Sequence, residues 1–381
     1  MLKYNLKGVI FLKKVILAPD SFKGTMSAIT ICNIMEQSVK EQFPDCEIIK
    51  IPVADGGEGT IDCFLSALPG EKVYKEVSNP YFEKIAGYYA LINNGHTAVI
   101  EMAVAAGLPL VEGRLNPSLT TTLGVGELIL DAIKKDAKEI IIGLGGSSTN
   151  DAGCGALAAM GVKFFDKEQK QFIPTGGSLI DIERIDDSAL ADLHSGVKIT
   201  VMCDIENPLF GENGAAFVFA PQKGASPEEV VQLDQGLKNF ADKSEKIGIS
   251  KVQGGGAAGG MGAGLYAFLN AELKSGIDTV LEITGFKEKL SGCDAVFTGE
   301  GKIDSQSLQG KVISGVTKAA KKAGVPVYVL AGKIGEGIDE IFEMGVTEVI
   351  CINKNPIPFE IAKLHSEENL KNTMDETLRL F

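Results

Sequence analysis

Short apolar runs alternate along this chain with stretches of helical periodicity, and run after run ends in a loop rich in glycine and carboxylate. Val15–Ala18 is apolar, and a polar loop follows at 20–24. From Ser27 to about Glu41, apolar residues recur at helical spacing through Ile29, Ile34, Met35 and Val39, with Thr25 or Ser27 as the expected cap. Glu47–Val53 reads as the next strand, then comes the loop 54–59, then a helix near Thr60–Leu68. The C-terminal third repeats the rhythm. Strands are expected at Ala295–Thr298, Pro326–Leu330 and Glu348–Ile352, and helices near Val312–Ala323, Gly337–Glu343 and Phe359–Arg379. Buried apolar strands alternating with helices predict a parallel sheet covered on both faces.

The middle of the chain reads differently. Residues 71–101 hold short alternating runs around Asn93-Asn94-Gly95, a hairpin signal. A helix at Gly126–Lys134, a strand at Glu139–Leu144 and strand-like runs at Lys198–Cys203 and Ala215–Phe219 follow. The expectation is an α/β protein of two α/β domains. A Rossmann-like or flavodoxin-like parallel-sheet domain spans 13–70 and 289–381, and a second, mixed α/β domain at 71–288 is inserted into it, with the active-site cleft between them. Residues 1–11 read as a weak lead-in. Lys7-Gly8-Val9 can be encoded by a purine-rich stretch resembling a bacterial ribosome-binding site, with Leu12 as a TTG start. A native N-terminus at Met1 by mass spectrometry would reject this.

Composition narrows the function. The net charge of −13 disfavours nucleic acid and anionic membranes, which require basic surface. An anionic small molecule then needs a locally positive pocket. The longest apolar stretch, Ala98–Val111, is broken by Glu101 and Pro109, short of the ~18–20 residues of a membrane helix. Seven cysteines fit no zinc spacing and contain no CxxC pair. They read as reduced thiols in a cytoplasmic protein. A homodimer is allowed, and nothing in the sequence fixes the oligomeric state.

The chemistry concentrates in the loops. Asp20, Ser21 and Lys23 sit where the first strand ends, the place where open parallel sheets bind ligands. Asp55, Gly56, Gly57 and Glu58 form the matching loop after the second strand. Its carboxylates suit Mg²⁺ or substrate hydroxyls, and its glycines allow close backbone approach. Gly145, Gly146, Ser147, Ser148, Thr149 and Asn150 offer backbone N–H groups and hydroxyls as a phosphate cradle. This is neither a Rossmann fingerprint nor a Walker A loop. It is similar to the Gly-Ser loop of the galactokinase–homoserine kinase superfamily but lacks the upstream proline. Asp204 and Asn207 end another strand, and Lys223 lies in a further loop. The Gly-rich segment 254–260 reads equally as a flexible linker or as tight helix packing. Gly299, Glu300, Gly301 and Asp304 close the set, with Lys311 at a helix start as a phosphate contact. His96, His194 and His365 lie outside every one of these loops. No GxSxG elbow is present, so His-based hydrolysis is disfavoured.

Taken in order, seven segments resemble the glycerate kinase family of the 2-kinase type. They are Ala-Pro-Asp-Ser-Phe-Lys-Gly (18–24), Ala-Asp-Gly-Gly-Glu-Gly-Thr (54–60), Thr-Leu-Gly-Val-Gly-Glu-Leu-Ile (122–129), Gly-Leu-Gly-Gly-Ser-Ser-Thr-Asn-Asp (143–151), Asn-Pro-Leu-Phe-Gly (207–211), Pro-Gln-Lys-Gly-Ala (221–225) and Thr-Gly-Glu-Gly-Lys-Ile-Asp-Ser-Gln (298–306). The resemblance covers about residues 13–375. It implies ATP- and Mg²⁺-dependent phosphorylation of D-glycerate, mostly to the 2-phosphate. Phosphoryl transfer depends on positioning and charge neutralisation, so roles can be assigned as expectations. Asp20, Asp55, Asp204 and Glu300 are candidates for metal binding or for deprotonating the hydroxyl, with Asp204 or Asp55 favoured as base. Asp55, Asp204, Glu300 and Asp304 are the candidate metal ligands. Lys23 is expected to neutralise the substrate carboxylate or the transferring phosphoryl group. A kinase for another short hydroxy acid or sugar acid, and a non-catalytic nucleotide-binding protein, are the alternatives. An NAD-dependent oxidoreductase is the weakest reading, because the first loop lacks GxGxxG.

Overall fold

The computed structural model describes residues 11–193, 196–304, 312–355 and 358–381. The lead-in 1–10, His194 and Lys311 lie outside the described residues. The chain divides into two compact units.

The first unit takes the described part of Met1–Ala54 together with Asp62–Leu68 and Ile277–Phe381. Its sheet is five-stranded and wholly parallel, ordered Val346–Cys351, Val327–Ala331, Ala295–Glu300, Lys14–Leu17, Glu47–Lys50. Counted along the unit this is 2-1-3-4-5, the flavodoxin-like order, with its reversal between Lys14–Leu17 and Ala295–Glu300. Both strands at that point are apolar at their buried positions, and Val15, Ile16, Leu17, Ala295, Val296 and Phe297 are inaccessible to solvent. The helix Ala28–Gln42 buries Ile31, Cys32, Met35 and Val39 in the same core as Leu370, Met374 and Leu378 of the helix Ser366–Leu378. Ser27 is its cap, accepting the Thr30 N–H at 3.0 Å.

The second unit takes Asp55–Ile61 and Pro69–Gly276. Its six-stranded sheet runs Glu272–Lys274, Lys198–Met202, Glu139–Gly143, Thr97–Glu101, Lys84–Ile92, Gly70–Ser78. The first four strands are parallel and the last two antiparallel. Asn93, Asn94 and Gly95 take φ of 53°, 57° and 82° and turn the hairpin between Ile92 and Thr97, which Asn and Gly tolerate best. A small antiparallel sheet of Gln171–Phe172, Lys163–Phe165 and Arg184–Asp186 stands apart. The helix Pro227–Ser244 starts with a capping box of Ser226 and Glu229. The helix Leu123–Lys134 crosses Cys154–Ala159 closely, because Gly126 brings no side chain: a Cβ there would lie 2.2 Å from the Ala156 carbonyl oxygen.

Three readings differ from the structure. Ala215–Phe219 is a short helix, not a strand. Its adjacent pair Ala215 and Ala216 is buried while Phe217 and Val218 are exposed, so its burial has no period of two. The stretch Phe359–Arg379 is not one helix but Phe359–Ala362, a 3₁₀ turn Lys363–His365, and Ser366–Leu378. At the unit borders, Asp55–Ile61 group with the second unit and residues 277–288 with the first. A backbone hydrogen bond and a side-chain contact give the reason. Gly145 donates its N–H to Gly56 at 3.0 Å, and a Cβ on Gly315 would meet Ile277 at 2.5 Å.

Candidate active site

In the first unit, the loops after the two central strands lie side by side. Ala18 N–H donates to Phe297 O and Asp20 N–H to Gly299 O, each at 2.8 Å, and the Thr298 hydroxyl donates to Ala18 O at 2.7 Å. Phe22 and Met26 exchange backbone hydrogen bonds around Gly24, whose φ of +80° closes the turn. That turn presents Lys23 as an exposed side chain. Ser21 N–H donates to Asp20 Oδ1 at 2.6 Å. Gly301 lies against the same loop, since a Cβ on it would sit 3.3 Å from Phe22 Cα. Glu300 is buried at the strand end. Asp304 is ion-paired with Lys302 at 2.6 Å, which sets a competitor against any metal there. So Asp20, Ser21, Lys23, Gly299, Glu300 and Gly301 form one cluster at the switch point.

The second unit holds a denser cluster. The loop 55–59 and the strand end Gly143–Gly146 touch through glycine backbone. A Cβ on Gly143 would lie 2.3 Å from Gly56 O, and one on Gly145 would lie 2.5 Å from Gly57 Cα. Gly56 also abuts Met202, since a Cβ on it would lie 2.9 Å from the Met202 Cβ. Gly276 closes the group. Its N–H donates to Asp204 Oδ1 at 2.9 Å, and a Cβ on it would lie 3.0 Å from both Asp204 Oδ2 and Asp55 Cα. Gly276 thus meets the Asp204 carboxylate and the Asp55 backbone; both aspartates are exposed, and Asp55 Oδ1 accepts the Gly57 N–H at 3.1 Å. Glu58 is exposed on the same loop. Asn207 is further along, donating through Nδ2 to Asn213 O at 2.9 Å.

The loop 145–151 is held from below. Gly146 O accepts the Leu108 N–H at 2.9 Å, and Ser148 donates both N–H and hydroxyl to Ala106 O at 2.9 and 3.0 Å. The Ser148 hydroxyl therefore serves the loop's own frame. Asp151 is completely buried, yet its carboxylate accepts from Thr122 N, Thr122 Oγ1, Gly155 N and Gly153 N at 2.7 to 3.2 Å. Burial outweighs these bonds and raises its pKa. The segment 254–260 is tight packing, not a linker. Gly259, with φ +66°, lies so close that a Cβ would sit 2.1 Å from Thr149 O, and Ala152 N–H donates to Gly259 O at 3.0 Å. Lys223 is also buried, with Nζ 2.9 Å from Ser147 Oγ and 2.6 Å from Thr149 O. Thr149 Oγ1 and both polar atoms of the Asn150 carboxamide have no hydrogen-bond partner among the described residues. Unmatched buried groups of this kind are uncommon and mark functional loops.

The donor set suits Mg²⁺, a hard cation that takes one or two carboxylates together with phosphate oxygens. The exposed Asp204, whose carboxylate lies on Gly276, and the exposed Asp55, whose backbone lies beside the same glycine, are residues of that kind. Among the described residues no three His, Cys, Asp or Glu form a ready-made cage.

Comparison with known proteins decides the family. The glycerate kinase family model matches residues 15–381. The chain belongs to the glycerate kinase family. It is 42% identical over 364 residues to the glycerate kinase of Bacillus subtilis (strain 168), covering 94% of this chain and 95% of that one. It is 43% identical over 343 residues to the glycerate 2-kinase of Escherichia coli (strain K12), covering 89% and 90%. A crystal structure from Salmonella typhimurium LT2, provisionally named glycerate kinase 2, superposes with a TM-score of 0.86 at 38% identity, covering 97% and 98%. The protein is an enzyme, a kinase of this family, built on mixed α/β architecture. No described helix is long and apolar enough to cross a membrane.

Three residues of the cluster were not singled out as site residues from sequence. Asp151 is visible there only as the end of a motif, because its partner Thr122 is 29 positions away. Glu101 closes the otherwise apolar strand Thr97–Glu101, is buried, and accepts the Ile61 N–H at 2.6 Å. A carboxylate ending an apolar strand was the available signal. Gly276 carried none.

Proposed function

We propose that this kinase transfers the terminal phosphoryl group of ATP to the 2-hydroxyl of D-glycerate, giving 2-phospho-D-glycerate and ADP. The observation that carries the reading is the convergence of Asp55, Asp204 and the glycine-backed loop 143–147 on Gly276 and Gly56 in the second unit. That set supplies a general base, a site for Mg²⁺ and a backbone cradle, the parts that phosphoryl transfer needs. Asp204 or Asp55 accepts the proton as the glycerate oxygen attacks phosphorus and the bond to the ADP oxygen breaks. Gly145, Gly146, Ser147, Thr149 and Asn150 position the phosphates. Asp55 and Asp204 would hold Mg²⁺. The ion supplies charge neutralisation on phosphate oxygens when bound. Lys23, with Asp20, Ser21 and Gly301 beside it, neutralises the glycerate carboxylate or the transferring group. The names of the relatives, one of them a 2-kinase, support the substrate and the position. The seven cysteines are all free thiols, which supports a reducing, cytoplasmic setting.

The test is ADP release from Mg-ATP with D-glycerate, L-glycerate, tartronate or no acceptor, followed by NMR of the product. Turnover confined to D-glycerate with phosphorus coupled to C2 is the expected result. Phosphorus on C3 would overturn the position. Folded protein that releases no ADP with any acceptor would overturn the activity.

A further inference from the structure

Lys223 is a long cationic side chain with no solvent access, ending the 3₁₀ turn Pro221–Lys223 where Gly224 reverses the chain at φ +99°. A buried ammonium is tolerated only when its donors are used. Two are used here, on Thr149 O at 2.6 Å and Ser147 Oγ at 2.9 Å. The carbonyl can only accept. The serine hydroxyl can do either, and its direction depends on the lysine. While Lys223 is an ammonium, Ser147 Oγ must accept from it, so the serine O–H is left to donate elsewhere. If Lys223 is a neutral amine, its lone pair can accept a hydrogen bond from the serine O–H, and the hydroxyl turns inward. Ser147 itself lies next to Gly146, the exposed crest of the loop.

We infer that Lys223 is a positioning residue that acts through Ser147, fixing the Ser147 hydroxyl as a donor toward an anionic oxygen bound at the Gly145–Gly146 crest. This inference rests on the kinase reading and deepens it. The ligand chemistry is a carboxylate or phosphoryl oxygen, supplied by glycerate or by the nucleotide. Burial lowers the Lys223 pKa to about 7, with Asp151 the charged group opposing that shift. Lys223 therefore gives up its proton far more readily than an exposed lysine. An anion at the crest favours the ammonium and draws a proton onto Lys223.

The experiment is the pH dependence of kcat and of kcat/KM for the wild-type enzyme, with D-glycerate varied in one arm and Mg-ATP in the other. In at least one arm kcat/KM is expected to break near pH 7 and fall with rising pH until it levels at the activity that remains without the Ser147 donor, reporting the free enzyme. The break in kcat should lie higher, because the complex holds the proton. Ser147→Ala removes the group through which the lysine acts, so that arm's alkaline break should disappear while kcat/KM at low pH drops toward the wild-type alkaline level. Lys223→Arg, permanently charged, should flatten the profile without that drop if it folds. A kcat/KM flat from about pH 6.5 to 8.5 in both arms overturns the inference, as does a Ser147→Ala profile that keeps the break. Wild-type turnover of D-glycerate at pH 7 separates this failure from failure of the kinase reading.

Discussion

Gly143 and Gly56 meet backbone to backbone: a Cβ on Gly143 would lie 2.3 Å from the Gly56 carbonyl oxygen. Neither atom is the end of a flexible side chain, so the clash can be relieved only by moving the loops apart. Gly143→Ala should destabilise the protein by about 1–3 kcal/mol, the range for overpacking. Its turnover should fall more than that loss explains, because the 55–59 and 143–147 loops separate. Denaturant unfolding and steady-state kinetics on the same preparation check both parts.

Asp204 is assigned to the chemistry, and its Oδ1 also accepts the Gly276 N–H. Asp204→Asn keeps an acceptor oxygen for that bond while removing the charge. The expected outcome is a loss of kcat of about 10²-fold or more with unfolding unchanged. A higher Mg²⁺ requirement should accompany it. Titrating Mg²⁺ against initial rate for both proteins measures this. Retained turnover with an unchanged Mg²⁺ midpoint would leave Asp55 as the base and ligand.

Lys23 is exposed on the first unit's loop, so removing it costs little stability. Lys23→Ala should nevertheless lower activity by orders of magnitude with a wild-type thermal midpoint. Near-normal turnover would reject its role.

Asp151 makes a prediction with a defined sign. Its pKa is raised in the folded state by burial, so ionisation opposes folding. Stability from this group is greatest below the ordinary carboxylate pKa and is lost as pH rises through the higher folded value. Asp151→Asn lacks that titration but leaves backbone N–H groups facing an amide, costing about 1–3 kcal/mol. The stability gap between wild type and variant should therefore narrow as pH rises from the ordinary carboxylate range upward. Urea unfolding of both proteins across that range reads the gap directly. A gap that widens would show that the four donated hydrogen bonds prevail over burial.

Much of the fold was legible because its strands are short and almost wholly apolar. Ala295–Glu300 and Lys14–Leu17 could hardly sit anywhere but the centre of a parallel sheet. The turn at Asn93-Asn94-Gly95 and the cap at Ser27 were legible because their chemistry is local. Ala215–Phe219 was not, since an apolar pentapeptide fits a strand or a buried helical turn equally well. The candidate site was legible in its loops but not in their arrangement. That Gly56 leans on Gly143, that Asp204 shares Gly276 with Asp55, and that Lys223 lies beneath Ser147 all depend on residues far apart in sequence. Tertiary packing alone sets them.

The interleaving of the two units along the chain bears on how this protein is made. Residues 69–276 are continuous and bring all the strands of their own sheets. The other sheet needs Lys14–Leu17 and Glu47–Lys50 from the beginning and Ala295–Cys351 from the end. During synthesis, which proceeds from the N-terminus, those first two strands emerge early, and Lys14–Leu17 remains without its central neighbour until some 280 residues later. The nascent chain therefore holds a completed inner body while the apolar face of Lys14–Leu17 waits uncovered, a long interval in which chaperone binding would protect it.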